Sequence, residues 1–144
     1  MRFDELLAEL GKNIGLEDLA FDANGSCSVF LDDDEVFFEL SDGRLLIISP
    51  IGPVSGREGL FRAVLEGNFL GGQSAFGSIG INSDQNEFVL SRVLEGDVPY
   101  LDFEKSLLVF IRCLRKWKNI VRDARMPDDV QETAKAENGN WLSV

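Results

Sequence analysis

Residues 21–52, FDANGSCSVFLDDDEVFFELSDGRLLIISPIG, set the strongest constraint on the fold. Turn signals recur every few residues, at Asn24-Gly25, at Asp32 to Asp34 and at Asp42-Gly43. The apolar stretches between them read as three strands, about 26–31, 35–40 and 44–49, with Pro53 ending the third. In the first, Cys27, Val29 and Leu31 share a face; in the second, Val36, Phe38 and Leu40 do. The opposite faces are not polar, because they carry Phe30 and Phe37. The third strand, Leu45-Leu46-Ile47-Ile48, is apolar on both sides. An antiparallel sheet with one face in water alternates cleanly between apolar and polar. This one is apolar on one face and partly apolar on the other.

Helical periodicity flanks the strands. Phe3, Leu6, Leu7, Leu10 and Ile14 form a stripe, and Gly15 is the expected stop. Ser55-Gly56-Arg57-Glu58 fits a capping box ahead of Leu60, Phe61, Val64 and Leu65. That second helix should stop at Gly67 or at Gly71-Gly72. Residues 78–82 and 87–94 then predict a hairpin across Ser83-Asp84-Gln85-Asn86. A long helix is expected over about 102–125, with Asp102 as its N-cap and Met126-Pro127 as its end. Its stripe is Leu107, Phe110, Ile111, Leu114, Trp117 and Val121. The order helix, three strands, helix, two strands, helix defines an α+β fold, a twisted antiparallel sheet with helices packed on one face. Residues 1–126 form a single domain, and 127–144 read as a polar, flexible tail.

The stretch GNFLGGQSAFGSIG, residues 67–80, holds five glycines, as a phosphate-binding loop does. No Gly-Lys-Ser/Thr follows, and the glycines come after a helix and before a strand. A helix stop and a sharp turn explain them. The run Asp32 to Glu35 lacks the spacing of a calcium loop and reads as a solvated hairpin tip. Cys27 and Cys113 lie far apart without a CxxC, so reduced thiols are expected. The absence of histidine removes the commonest general base and most zinc sites. No catalytic residue, metal or cofactor is expected. A small enzyme using two of the 25 acids is the weakest alternative.

A net charge of −11 argues against nucleic acid and anionic membranes as partners. No apolar run is long enough to span a membrane, and the acidic N-terminus is unlike a secretion signal. A cytoplasmic location is expected. Seven of the fourteen Lys and Arg fall between 105 and 125: Lys105, Arg112, Arg115, Lys116, Lys118, Arg122 and Arg125. That basic half reads as a solvated face balancing acid elsewhere. A small fold cannot hide Phe30, Phe37, Phe69 and Phe76 along with three amphipathic stripes, and surplus apolar surface points to a protein partner.

Two stretches carry a family resemblance: GLEDLAFDANGSCSVFLDDDEVFFEL and LFRAVLEGNFLGGQSAFGSIGINSDQNEFVLSRVL. With the element order, size and acidity, they resemble the class I type III secretion chaperones of the CesT/SycE type over residues 3–125. The resemblance implies a homodimer without catalytic activity in the bacterial cytoplasm. Its partner is the N-terminal segment of a secreted effector, held extended and ready for export; the secretion ATPase is a further candidate. It implies a dimer seam of Leu60, Phe61, Val64, Leu65, Phe69, Phe76, Ile79 and Ile81, with Leu70 beside them. It implies effector grooves built from Leu6, Leu7, Leu10, Val29, Phe30, Phe37 and Ile47. A chaperone of the same fold that sequesters a secretion regulator is the nearest alternative, and a scaffold subunit of a mixed assembly is another.

Overall fold

The computed structural model describes residues 2–124. The tail expected at 127–144 and the helix stop at Met126-Pro127 lie outside the described residues. The observed order is α1 (Phe3–Ile14), β1 (Ser26–Leu31), β2 (Asp34–Ser41), β3 (Arg44–Pro53), α2 (Phe61–Asn68), β4 (Ser78–Asn82), β5 (Glu87–Leu94) and α3 (Tyr100–Asp123). All strands pair antiparallel, in the order β1-β2-β3-β5-β4. β4 pairs with β5 by a local hairpin, and α2 carries the chain from β3 across to β4 at the sheet edge.

The inner face of the sheet is set by period-two alternation. Val29, Val36, Phe38, Leu45, Ile47, Ile51, Phe88 and Leu90 are buried there. α1 adds Leu6, Leu7 and Leu10; α3 adds Phe103, Leu107, Phe110, Leu114 and Trp117. Phe38 on the sheet meets Phe103 on α3 with ring centroids 6.1 Å apart. Every residue of the expected α3 stripe is buried, joined by Phe103 and Ile120. Gly15 ends α1 in the left-handed conformation (φ 80°), as a glycine C-cap does.

Four local expectations are corrected. β3 extends beyond the expected 44–49 through Pro50, and ends at Pro53, the stop expected from the sequence. Its backbone ladder to β2 stops at the Phe37–Ile48 pair, so beyond it the β3 backbone pairs only with β5. A proline fits a strand bonded on one side, and the register shifts between Pro50 and Gly52. The capping box does not form: Gly56 takes φ 79° and a single 3-10 turn, Glu58–Leu60, leads into α2 without a side-chain cap. α3 begins two residues before Asp102, behind Pro99, whose fixed φ suits a helix entry. It ends at Asp123, since Ala124 is extended (φ −87°, ψ 91°).

Candidate protein-binding surfaces

The structure divides each set of expected contact residues. Of the groove residues, Leu6, Leu7, Leu10, Val29 and Ile47 are buried in the core of the chain itself, where a ligand does not reach them. Phe37 is half-buried and Phe30 is 64% exposed, both on the outer face. Of the seam residues, Leu60, Val64 and Ile79 are core, whereas Phe61, Leu65, Phe69, Phe76 and Ile81 are exposed.

Phe61, Leu65, Phe69 and Phe76 gather on α2 and the glycine-rich segment behind it, whereas Ile81 lies on β4. Phe69, Leu70 and Phe76 are 74%, 84% and 75% exposed. They stand out because the backbone is forced: Leu70 (φ 53°), Ala75 (φ 55°) and Phe76 (φ 60°) all lie in the left-handed region. Each such residue costs about 1–2 kcal/mol without glycine. Surrounding bonds hold the segment in place. The Gln73 carbonyl accepts from Trp117 Nε1 at 2.7 Å and from Cys113 Sγ at 3.1 Å. Arg92 Nη1 donates to the Ala75 carbonyl at 3.1 Å, and its guanidinium lies 5.8 Å from the Phe76 ring centroid. The Asn68 side chain both accepts from and donates to the backbone of Ile79. At Gly77 a Cβ would fall on the Ser91 carbonyl, so only glycine lets the segment approach β5. Strained backbone, fixed from several sides, clusters where a surface has a task.

A second surface lies on the outer face of the sheet. There the register aligns Ser28, Phe37, Ile48 and Ser91 in one row, and Glu39, Leu46 and Val93 in the next. All of these but Ser28, with Pro50, Ile81 and Val89, line a trough of about 680 Å³. The sequence reads β3 as apolar on both sides, and the resemblance implied a groove at Ile47; the outer face instead carries Leu46 and Ile48. A one-residue slip turns a strand over. A further depression of about 790 Å³ lies beside the start of α1, lined by Phe3, Phe21 and Leu40 among others.

The acidic turn is the expected solvated tip only at Asp32 and Asp33, which are exposed. Asp34 is buried, and its carboxylate accepts from Lys118 Nζ at 2.7 Å and Arg115 Nε at 2.8 Å. Arg115 also reaches Asp32 at 3.1 Å. Part of the basic face of α3 thus ties the helix to the β1–β2 turn. Burial raises the Asp34 carboxyl, but hydrogen bonds and charge from Lys118 and Arg115 outweigh it and hold it below the ordinary value. Cys27 and Cys113 are both free thiols, as expected.

Among the described residues, no group of three or more His, Cys, Asp or Glu is placed to hold a metal, and no helix is long and apolar enough to cross a membrane. A small α+β domain whose exposed chemistry is apolar side chains on a fixed scaffold is a protein-binding module. The chain belongs to the Tir chaperone protein (CesT) family, whose model matches residues 5–118. This bears out the resemblance to class I type III secretion chaperones. No curated protein matches the sequence. Among solved structures, the fold is similar to that in the ExsC–ExsE complex, at 23% identity and a TM-score of 0.71, covering 81% of this chain and 91% of that one. It is similar to the HopA1–SchA chaperone–effector complex at 15% identity and 0.67, covering 81% and 93%. The Yersinia pestis type III secretion chaperone SycH, in complex with a stable fragment of YscM2, matches at 19% and 0.64, covering 80% and 98%.

Proposed function

We propose that the protein is a cytoplasmic type III secretion chaperone that works as a homodimer and by binding alone. It holds the N-terminal segment of a secreted effector in extended form and keeps that segment competent for export. The observation that carries this reading is the pair of separate apolar surfaces on one family fold. Permanent burial suits the α2 surface, where a strained segment holds Phe69, Leu70 and Phe76 outward. Reversible cover suits the outer sheet face around Phe30 and Phe37. Chaperone and effector stand together in the HopA1–SchA structure, which supports the same kind of partner here. An extended client loses conformational entropy on binding, so a long apolar footprint is needed to offset it.

Light scattering on the eluted protein should give twice 16.0 kDa. Phe69→Asp/Phe76→Asp should shift it to the monomer mass while circular dichroism stays unchanged. A wild-type chain that runs as a monomer at micromolar concentration counts against the seam. Co-expression with the N-terminal segment of an effector encoded beside it should yield a stable complex. Phe30→Asp/Phe37→Asp should lose that complex and keep the dimer. Retention at full strength would remove the sheet face from the proposal.

A further inference from the structure

Resting on the chaperone reading, we infer that the outer sheet face selects its client by charge: it takes an extended segment in which Lys or Arg alternates with apolar residues. The floor of the trough is apolar, formed by Phe37, Leu46, Ile48, Val89 and Val93. Its charged complement is one-sided, beside the neutral Ser78, Asn82, Gln85 and Ser91. Glu35, Glu39 and Glu87 line it, and no lysine or arginine does. Among the described residues Arg44 pairs with Glu95, Arg115 and Lys118 pair with Asp34, and none of these three glutamates makes an ion pair. Glu35 and Glu87 are half-buried in the lining, and Glu39 is exposed.

Spacing adds a rule. Glu35, Phe37 and Glu39 stand on the same face of β2, with Phe37 between the acids. At about 3.3 Å per residue the two carboxylates begin about 13 Å apart. An extended client has the same rise and the same two-residue period. A basic residue, an apolar residue two positions on and a second basic residue two beyond that would match all three. The acids then act as specificity-determining residues: they add attraction for such a segment and repel an acidic one of equal hydrophobicity.

Two labelled synthetic peptides test this against the full-length protein. One alternates leucine and lysine with serine between them; the other carries glutamate in place of each lysine. Fluorescence anisotropy at low ionic strength should show the lysine peptide bound about tenfold tighter or more. Added salt should narrow the gap. Glu35→Gln/Glu39→Gln should erase the preference, the more exposed Glu39→Gln alone should reduce it, and Phe37→Ser should weaken both peptides. Equal affinities, no binding of either peptide, or a preference untouched by the glutamine variants overturns the inference. A co-expressed effector segment separates this from the reading beneath it. If wild type and Glu35→Gln/Glu39→Gln retain that segment equally, the charge rule fails and the chaperone reading stands. If wild type retains no segment, the chaperone reading itself fails.

Discussion

Asp34 lies in an acidic turn yet is a core residue, and its two cationic partners decide its effect on stability. A carboxylate whose value is lowered on folding adds stability above its unfolded value and loses it as the pH falls through the lowered one. Asp34→Asn should therefore cost about 1–3 kcal/mol near pH 7, toward the low end because Arg115 and Lys118 stay partly hydrated. The gap between variant and wild type should begin to narrow below about pH 4, the ordinary carboxylate range, and close once the pH has fallen through the lowered native value. Urea denaturation of both proteins across a pH series reads this directly. A gap that is constant with pH would mean that Asp34 matters by shape, not charge. Cys113 gives a second test at this scale. Burial pushes its thiol up to about 11, against a slight opposing pull from Lys116. About two units above a free thiol leaves about 100-fold less thiolate at neutral pH. Alkylation by iodoacetamide, followed by mass spectrometry, should be slower than for free cysteine by that factor. A rate near that of free cysteine would show that the segment over Cys113 opens readily.

At the scale of elements, the segment between α2 and β4 separates stability from association. Leu70 is held at φ 53° with its side chain in solvent, so a protomer gains little from it and bears its strain. Leu70→Gly relieves about 1–2 kcal/mol of left-handed strain and adds about 0.5–1 kcal/mol of unfolded-state entropy. Unfolding of the protomer should change by about 1 kcal/mol or less, while the dimer dissociates at a higher concentration. Sedimentation equilibrium beside thermal unfolding checks both, and a Leu70→Gly dimer as tight as wild type would take Leu70 out of the seam. Much of this level was legible in the sequence. The β4–β5 hairpin, the α3 stripe and the Gly15 stop were readable because each follows from local periodicity or one glycine's conformation. The open residues of the sheet were not. Leu45 to Ile48 are apolar throughout, so the pattern carries no register, and only pairing with Phe37 and Val93 fixes Leu46 and Ile48 outward. Asp34 was misread for the same kind of reason: its partners are on α3, about eighty residues along the chain. The resemblance implied a groove role for Leu6, Leu7 and Leu10, and the sequence had no means to test it, because an amphipathic stripe looks the same whether it faces its own sheet or a partner.

For the whole molecule, charge and apolar surface act against each other in the proposed dimer seam and together in the proposed client site. Each chain carries −11, so two copies would meet against mutual repulsion. The attraction proposed between them comes from Phe61, Leu65, Phe69 and Phe76, which salt does not screen. Raising ionic strength removes repulsion and leaves that attraction, so the dimer should tighten. A client that sets basic residues against Glu35, Glu39 and Glu87 gains from charge, and the same salt should loosen it. The two equilibria should therefore move in opposite directions over one salt series. Sedimentation of the protein alone and anisotropy of the lysine peptide, in the same buffers, provide the comparison. If both tighten, the sheet face binds by hydrophobic contact alone and the glutamates only keep the molecule soluble. If both loosen, charge pairs cross the dimer seam, and the apolar side chains on α2 and the segment after it are not what joins the two copies.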